Sequence, residues 1–335
     1  FADVYHWERG IGPRASRPVT PNGHWKGTTE NHQFGTNEFL RWCEQTGMKP
    51  YINVNLGSGT LEEALRWVEY CNGGPETPQG RRRAADGRVE PYGVKLWGVG
   101  NETWGSWETG HSDASTYARR LHEWATALRK ADPSIQILAV GSSRGANPAW
   151  DRTVLEQAAG EIDFLTIHSY GYSKLEPQEY SSVVFAPAAI ERQIRRMLTT
   201  IDEQAGPRAG RIRVALDEWN IRRSTNGKLA RRPPRTFQDS LFVAGVLNVL
   251  VRLSPRVGMA NYVFLVNGHA PILVDGDRVA RSTLFHVFKK YRESLLGDAL
   301  AVQVESPSTT PSPPQLQGGG FRPGEAERPR ETPWL

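Results

Sequence analysis

Two glutamates, Glu102 and Glu218, each lie just after an apolar run that has the composition of a β-strand. A carboxylate beside an apolar strand needs a chemical reason, because burying a charge is costly unless the charge is paired or used. Either glutamate alone could equally be an ordinary loop residue. Two in the same kind of position, each close to an Asn and a Trp, favour paired acid chemistry. In glycoside hydrolysis one carboxyl group protonates the departing oxygen, while the other attacks the anomeric carbon or activates water.

A histidine and a tyrosine stand at the end of a third apolar run. The Tyr170 hydroxyl can hydrogen-bond a nucleophilic carboxylate and keep it ionised, and His168 can bind a sugar hydroxyl. A histidine at a strand end is equally often a simple polar cap. Tryptophans in loops or at strand ends offer surfaces on which sugars stack, although each alone is more often structural. These are Trp7, Trp25, Trp104, Trp107 and Trp219.

Several classes of site and of protein are excluded. The other histidines have no metal-ligand spacing, so we predict neither a site metal nor a cofactor. Only two cysteines, Cys43 and Cys71, are present, which excludes a disulfide scaffold and a multi-cysteine metal site. No apolar run reaches about 18 residues, so we predict no membrane-spanning segment. The chain begins at Phe1 without a methionine or a signal peptide, which predicts a processed or truncated product.

The net charge of +5 is concentrated in two basic stretches. Six positive residues and no acidic one lie between Arg222 and Arg235, and Arg81–Arg83 with Arg88 form a second cluster in a segment rich in Gly and Pro. A nucleic-acid binder usually spreads such charge over one face and adds a recognition motif. We therefore interpret both stretches as solvated loops and do not expect a nucleic-acid partner.

The elements that must position these residues alternate between short apolar runs and longer amphipathic ones. Nearly continuous apolar runs are typical of parallel strands that are covered on both faces. The predicted strands are Pro50–Leu56, Val94–Val99, Ile135–Val140, Phe164–His168, Ile212–Asp217 and Ala260–Val266. The predicted helices are Thr36–Thr46, a segment that starts with a Thr60–Glu63 capping box, a segment from Asp113 to Lys130, Ala188–Gln204, Phe237–Arg252 and Thr283–Leu296.

This alternation predicts an α/β fold, either a doubly wound sheet or a (β/α)₈ TIM barrel. The absence of a Gly-rich phosphate loop after the first strand favours the barrel. Only six strands are found where a barrel needs eight, so the first two are predicted to be missing and strands 3–8 to be present. We expect a partial barrel over residues 1–305, with open sheet edges at Lys49–Leu56 and Ala260–Val266. Residues 306–335, rich in Pro and Gly, are predicted to be a disordered tail.

The motifs, taken in order, are similar to those of one enzyme family. Asn101-Glu102 at one strand end and Glu218 three strands later is the pattern of the clan A glycoside hydrolases, which are retaining barrel enzymes. Five segments together resemble the family 51 α-L-arabinofuranosidases, from Phe1 to about Glu305. They are Tyr5–Pro13, Asn55–Gly59, Val68–Asn72, Gly98–Glu102 and Asp217–Asn220.

The resemblance implies that Glu102 is the general acid/base and Glu218 the nucleophile. It also implies roles in substrate binding for four residues: Asn101 at the sugar 2-hydroxyl, His168 and Tyr170 in the −1 subsite, and Trp25 at the border of the pocket. Two positions depart from the family pattern, because Arg222 replaces an aromatic residue and Phe264 stands where a Gln is common. Both positions face the substrate in relatives, so they bear on substrate preference. The family's two upstream strands and its C-terminal β-sandwich are not found in this sequence.

We therefore expect a retaining, exo-acting α-L-arabinofuranosidase that releases terminal arabinofuranose from arabinan or arabinoxylan oligosaccharides, in L-arabinose metabolism. The alternatives are a clan A endoglycanase, such as a β-glucanase or xylanase, and an inactive fragment or sugar-binding remnant. The expected partner is the arabinose-containing substrate, and the complete protein is expected to be able to form homo-oligomers. We expect a cytoplasmic protein.

Overall fold

A computed structural model of the protein describes residues 3–22, 28–142, 147–174, 180–225, 228–229, 233–295, 297–298, 300, 302–309, 316–317 and 332–333. The helices within these ranges are α1 Thr36–Thr46, α2 Leu61–Asn72, α3 Pro78–Ala85, α4 Ala114–Ala131, α5 Pro148–Ala158, α6 Tyr180–Val184, α7 Ala186–Gln204, α8 Phe237–Arg252 and α9 Thr283–Ser294. None of the described helices combines the length and the apolar character that crossing a membrane requires.

The principal sheet contains eight described strands, and six of them alternate with helices: β3 Tyr51–Val54, β4 Leu96–Val99, β5 Gln136–Ala139, β6 Phe164–Lys174, β7 Arg213–Thr225 and β9 Val257–Tyr262. The sheet also includes two short strands, β8 Lys228–Leu229 beside β7 and β13 Leu316–Gln317 beside β6, both antiparallel. The other described strands are β1 Thr20–Pro21, β2 Thr29–Glu30, β10 Ile272–Asp275, β11 Arg278–Arg281, β12 Ser308–Thr309 and β14 Thr332–Pro333.

Strand order in the principal sheet follows the order of the chain, from β3 to β7, with β9 beside β7. The pairs β3–β4, β4–β5, β5–β6 and β7–β9 are parallel, and at least one helix lies between successive members of these six strands. Among the described strands, β3 pairs with β4 alone and β9 with β7 alone. This topology confirms the α/β class and is consistent with an incomplete (β/α)₈ barrel.

The chain divides into two compact units. The first comprises Phe1–Gly141, Ala149–Leu165 and Gln204–Ile212, and its core contains the apolar side chains of β3, β4 and β5. Tyr117, Leu121 and Leu128 on one face of α4 are fully buried, as the helical spacing predicts. The N-terminal segment contributes Trp7, whose ring stacks on that of Trp67 in α2 with centroids 5.9 Å apart.

The second unit comprises Ser142–Pro148, Thr166–Glu203 and Arg213–Leu335. Its core consists of buried side chains from β6, β7, α7 and α8, such as Ile167, Leu216, Ile194 and Phe242. Gly171 of β6 lies against Phe242, since a Cβ at this position would come within 2.5 Å of the Phe242 ring. A side chain at position 171 would therefore move β6 away from α8.

Helix boundaries are predicted well where a capping residue marks the end. Helices α1 and α8 begin and end as predicted, with Gly47 in the left-handed region after α1 and Thr236 accepting from the Asp239 amide at the start of α8. The capping box at Thr60 forms only in part. Its hydroxyl accepts from the Glu63 amide, but the Glu63 carboxylate pairs with His6 Nδ1 at 3.0 Å.

The interpretation of the basic stretches as solvated loops is wrong for three arginines. Arg83 belongs to helix α3, is fully buried, and donates hydrogen bonds to the backbone carbonyls of Tyr70, Gly73 and Val89. The side chains of Arg223 and Arg235 are also buried, and both guanidinium groups lie within 4 Å of the Asp239 carboxylate. These arginines stabilise loops by satisfying backbone oxygens, which a count of charges in the sequence does not reveal.

Strands β6 and β7 are longer than predicted, and β9 begins and ends earlier than the predicted run Ala260–Val266. His168 and Tyr170 therefore lie inside β6, and Glu218 lies inside β7. The predicted tail, residues 306–335, falls mostly outside the described residues. Within it, β12 pairs with β14, and β13 pairs with β6 at Tyr170 and Gly171. The division at residue 305, the missing strands and the missing sandwich stay predictions.

Candidate active site

In the first unit, the turn after β4 presents Glu102. Gly100 has a φ of +86°, and a Cβ there would approach Leu56 and Thr103 to 3.0 Å, so the turn requires glycine. Glu102 itself has a φ of +44°, in the left-handed region that non-glycine residues rarely adopt. Such backbone strain is concentrated at functional sites, where the surrounding structure holds it in place. Asn101, half-buried, precedes Glu102 in the same turn.

The Glu102 side chain is buried, and its carboxylate accepts a hydrogen bond at 3.2 Å from the indole N–H of Trp107. Trp107 is 45% exposed and meets Trp104 edge to face, with ring centroids 5.3 Å apart. The Trp104 indole in turn donates to the carbonyl of Gly141 at 3.0 Å. These two tryptophans thus fix the turn and leave one indole partly open to solvent beside a carboxylate.

In the second unit, the Tyr170 hydroxyl of β6 donates a hydrogen bond to Oε2 of Glu218 in β7. Tyr170 is buried, whereas the Glu218 side chain is 26% exposed. His168, two residues before Tyr170 in β6, lies between two carboxylates. Its Nδ1 is 3.6 Å from Glu218 Oε2, and its Nε2 is 3.3 Å from Asp217 Oδ1. The Tyr170 hydroxyl and the His168 imidazole thus approach the same oxygen of Glu218, Oε2.

The structure therefore brings together three of the predicted site residues, His168, Tyr170 and Glu218, within the second unit. Trp219 is not a sugar platform, because it is 1% exposed and packs edge to face on Tyr262 with centroids 4.9 Å apart. Trp7 is likewise buried in the core of the first unit. Trp25 lies outside the described residues, so its predicted place at the border of the pocket stays a prediction.

Sequence reasoning assigned no role to Asp217 and considered Trp107 only as a surface for sugar stacking, although both contact site residues. Asp217 is 8% exposed beside His168, and its position directly before Glu218 was the available signal. Asn220, further along β7, is buried and donates to the carbonyl of Val263, while its Oδ1 accepts from the Tyr262 hydroxyl at 2.6 Å. This residue fixes the end of β9 against β7 and so supports the strand that carries Glu218.

Comparison with known sequences decides the family. The sequence model described as the α-L-arabinofuranosidase 1 domain matches residues 1–182, more than half of the chain. The chain belongs to the family 51 α-L-arabinofuranosidases. A second sequence model, described as the α-L-arabinofuranosidase C-terminal domain, matches residues 217–329. Membership confirms the resemblance found in the sequence and places the chain in a class of glycoside hydrolases.

Two curated relatives and a solved structure support this assignment to the family. The probable α-L-arabinofuranosidase C of Aspergillus niger is 35% identical over all of this chain and 67% of its own length. The intracellular exo-α-(1→5)-L-arabinofuranosidase 1 of Bacillus subtilis is 31% identical over 92% of this chain and 64% of its own length. The α-L-arabinofuranosidase of Thermotoga maritima, solved with arabinose, is 35% identical and superposes with a TM-score of 0.83 over 92% of this chain and 63% of its own. The chain thus spans about two thirds of these family 51 enzymes.

Proposed function

We propose that this protein removes terminal non-reducing α-L-arabinofuranosyl residues from arabinan and arabinoxylan oligosaccharides, with retention of configuration. The hydrogen bond from Tyr170 to Glu218, beside His168, carries this proposal. A hydroxyl that donates to a partly exposed carboxylate favours its ionised form, and a glycosidase nucleophile must be ionised and accessible to the substrate. Further support comes from the names of the family 51 relatives, one of which is an exo-α-(1→5)-L-arabinofuranosidase.

Glu218 is the nucleophile in this proposal. The hydroxyl hydrogen bond stabilises its negative charge, since a donor that faces a carboxylate favours the ionised form. A Glu218 oxygen forms a bond to the anomeric carbon as the bond to the leaving oxygen breaks, which gives a covalent glycosyl-enzyme. In this scheme His168 contacts the nucleophile and a sugar hydroxyl, and the Asp217 carboxylate, 3.3 Å from its Nε2, orients the imidazole.

Glu102 is the general acid and then the general base. It gives its proton to the leaving oxygen in the first step. In the second step it takes a proton from water, whose oxygen bonds to the anomeric carbon as the bond to Glu218 breaks, so that arabinose leaves and both carboxyl groups return to their starting states. The indole N–H of Trp107 orients the Glu102 carboxyl group. The proposal requires the two carboxyl groups to lie about 5–5.5 Å apart, the separation found in retaining enzymes. Asn101 binds the sugar 2-hydroxyl in this scheme.

The substrate, the cellular location and the assembly state are part of the same proposal. The partner is an arabinose-containing oligosaccharide or polysaccharide, and release of arabinose places the protein in L-arabinose metabolism. The name of the Bacillus subtilis relative includes the word intracellular, which supports the cytoplasmic location expected from the sequence. Assembly into homo-oligomers belongs to the proposal for the complete protein.

The test is the substitution Glu218→Ala, assayed with an aryl α-L-arabinofuranoside. We expect turnover to fall below detection and sodium azide to restore it, because azide replaces the missing nucleophile and leaves a glycosyl azide of inverted configuration. The matched control is Glu293→Ala, which removes an exposed glutamate of α9. Full activity in Glu218→Ala, or an azide product of retained configuration, would show that Glu218 is not the nucleophile.

A further inference from the structure

Arg222 brings a permanent positive charge to the candidate nucleophile. It lies in β7 four residues after Glu218, and its guanidinium carbon is 3.6 Å from the centroid of the Tyr170 ring. The hydroxyl of the same tyrosine donates to Glu218. A cation therefore stacks on the residue that holds the nucleophilic carboxylate, and Arg222 itself is half-buried.

A stacked guanidinium keeps its hydrogen-bonding capacity, because the face lies on the ring while the N–H donors point outward in the plane. The neighbouring Arg223 and Arg235 donate hydrogen bonds to other residues of the protein. Arg223 donates to Ser173 Oγ and the Pro234 carbonyl, both at 3.1 Å, and Arg235 donates to the Ile221 carbonyl at 2.8 Å. For Arg222, no hydrogen bond or ion pair to any described residue is present.

Two ionisable groups of the same region, Asp239 and His269, interact with other arginines. The Asp239 carboxylate is shared by Arg223 and Arg235, which lie 3.6 and 3.8 Å from it. Burial, followed by the positive charge of Arg235, lowers the pKa of His269 to about 4, with a smaller contribution from Arg222. His269 is therefore neutral near pH 7 and accepts a hydrogen bond from the Arg223 amide at 3.1 Å.

We propose that Arg222 binds a carboxylate of the substrate and directs the protein towards arabinofuranosides whose neighbouring sugar carries a uronic acid. This inference rests on the proposed function, because it places the acid beside the arabinose that Glu218 attacks. A guanidinium with free in-plane donors matches a carboxylate in two parallel hydrogen bonds, a geometry that neutral hydroxyl groups do not reproduce. Arg222 is thus a specificity residue for acidic glycans.

The experiment compares two arabinose-bearing xylooligosaccharides that differ only in a glucuronic acid next to the arabinosylated unit. Wild type is expected to have the higher kcat/KM on the acidic one. Arg222→Gln is expected to lower the ratio of acidic to neutral kcat/KM by about tenfold, mainly through KM, because a hydrogen-bonded charge pair is lost. Arg222→Lys should keep part of the preference, since the charge remains without the two-point geometry. Arg278→Gln is the matched control, as Arg278 is 85% exposed and paired with Asp275 in the β10–β11 hairpin.

Salt provides a second measurement that needs no variant. The wild-type acidic-to-neutral ratio should decrease as ionic strength rises, because salt screens the attraction between the half-buried guanidinium and the substrate carboxylate. Three results would overturn the role of Arg222. They are a wild-type ratio near one, a ratio that does not change with salt, and an equal loss of kcat/KM on both substrates in Arg222→Gln. The aryl arabinofuranoside assay distinguishes failure of this inference from failure of the proposed function. Wild type that fails to release arabinose from it would reject the function, whereas turnover with an unchanged ratio would reject this inference alone.

Discussion

Glu102 lies in a turn after β4, on a backbone with a φ of +44°, whereas Glu218 lies inside the thirteen-residue strand β7. The first carboxyl group is buried and accepts from an indole N–H, and the second is partly exposed and accepts from a buried tyrosine hydroxyl. A nucleophile must keep one position throughout the reaction, which a paired strand provides. A group that gives and then takes a proton has to serve two oxygen atoms, which suits a short turn. The two backbones thus match the two proposed roles.

The largest effect that tests this contrast is the dependence of Glu102→Ala on the leaving group. With a natural oligosaccharide we expect a loss of roughly 10²–10⁴-fold, the usual contribution of general acid–base catalysis. With a dinitrophenyl arabinofuranoside the first step should be nearly unaffected, because this leaving group needs no proton. The measurement is the pre-steady-state burst of dinitrophenol. An equal loss of rate on both substrates would show that Glu102 is not the general acid.

A smaller effect is expected from Tyr170→Phe, which removes the hydrogen bond to Glu218 and leaves the ring under Arg222. Loss of a hydrogen bond to a charged group should lower kcat/KM by about 10- to 100-fold. The acidic limb of the kcat/KM profile should move to higher pH, because the carboxylate loses a donor that favours its ionised form. The control is Tyr180→Phe, since Tyr180 is 52% exposed at the start of α6. An unmoved acidic limb would leave Tyr170 with a packing role only.

The smallest effect should follow Trp107→Phe, which removes the indole donor to Glu102. A 3.2 Å hydrogen bond from a partly exposed donor is expected to contribute about 1 kcal/mol, or roughly fivefold in the step that Glu102 catalyses. The loss should appear on natural substrates and not in the burst with dinitrophenyl arabinofuranoside. Trp104→Phe is the neighbouring control, because its indole donates to the Gly141 carbonyl instead. A larger effect in the control would indicate that the turn, and not the hydrogen bond, matters.

The sequence by itself determined six of the nine described helices, without α3, α5 and α6, and the six strands that alternate with them. Apolar runs predicted those six strands, and Asp113 marked the start of α4, because capping depends on the side chain of a single residue. Five motifs in order, two of which contain Glu102 and Glu218, were sufficient to predict the family, which the sequence comparisons confirm.

Only the tertiary structure decided which polar side chains reach which partners. The extensions of β6 and β7 contain polar residues such as Ser169, which hydrogen-bonds Gln193 of α7 at 2.8 Å, so the apolar pattern stops before the strand does. The buried Arg83, Arg223 and Arg235 look like solvated charges in the sequence, since their partners are carbonyls and one carboxylate of other elements. The contact of Arg222 with Tyr170 is of the same kind. Hydrogen bonds and charge pairs join residues that are distant along the chain, and the fold alone brings those residues together.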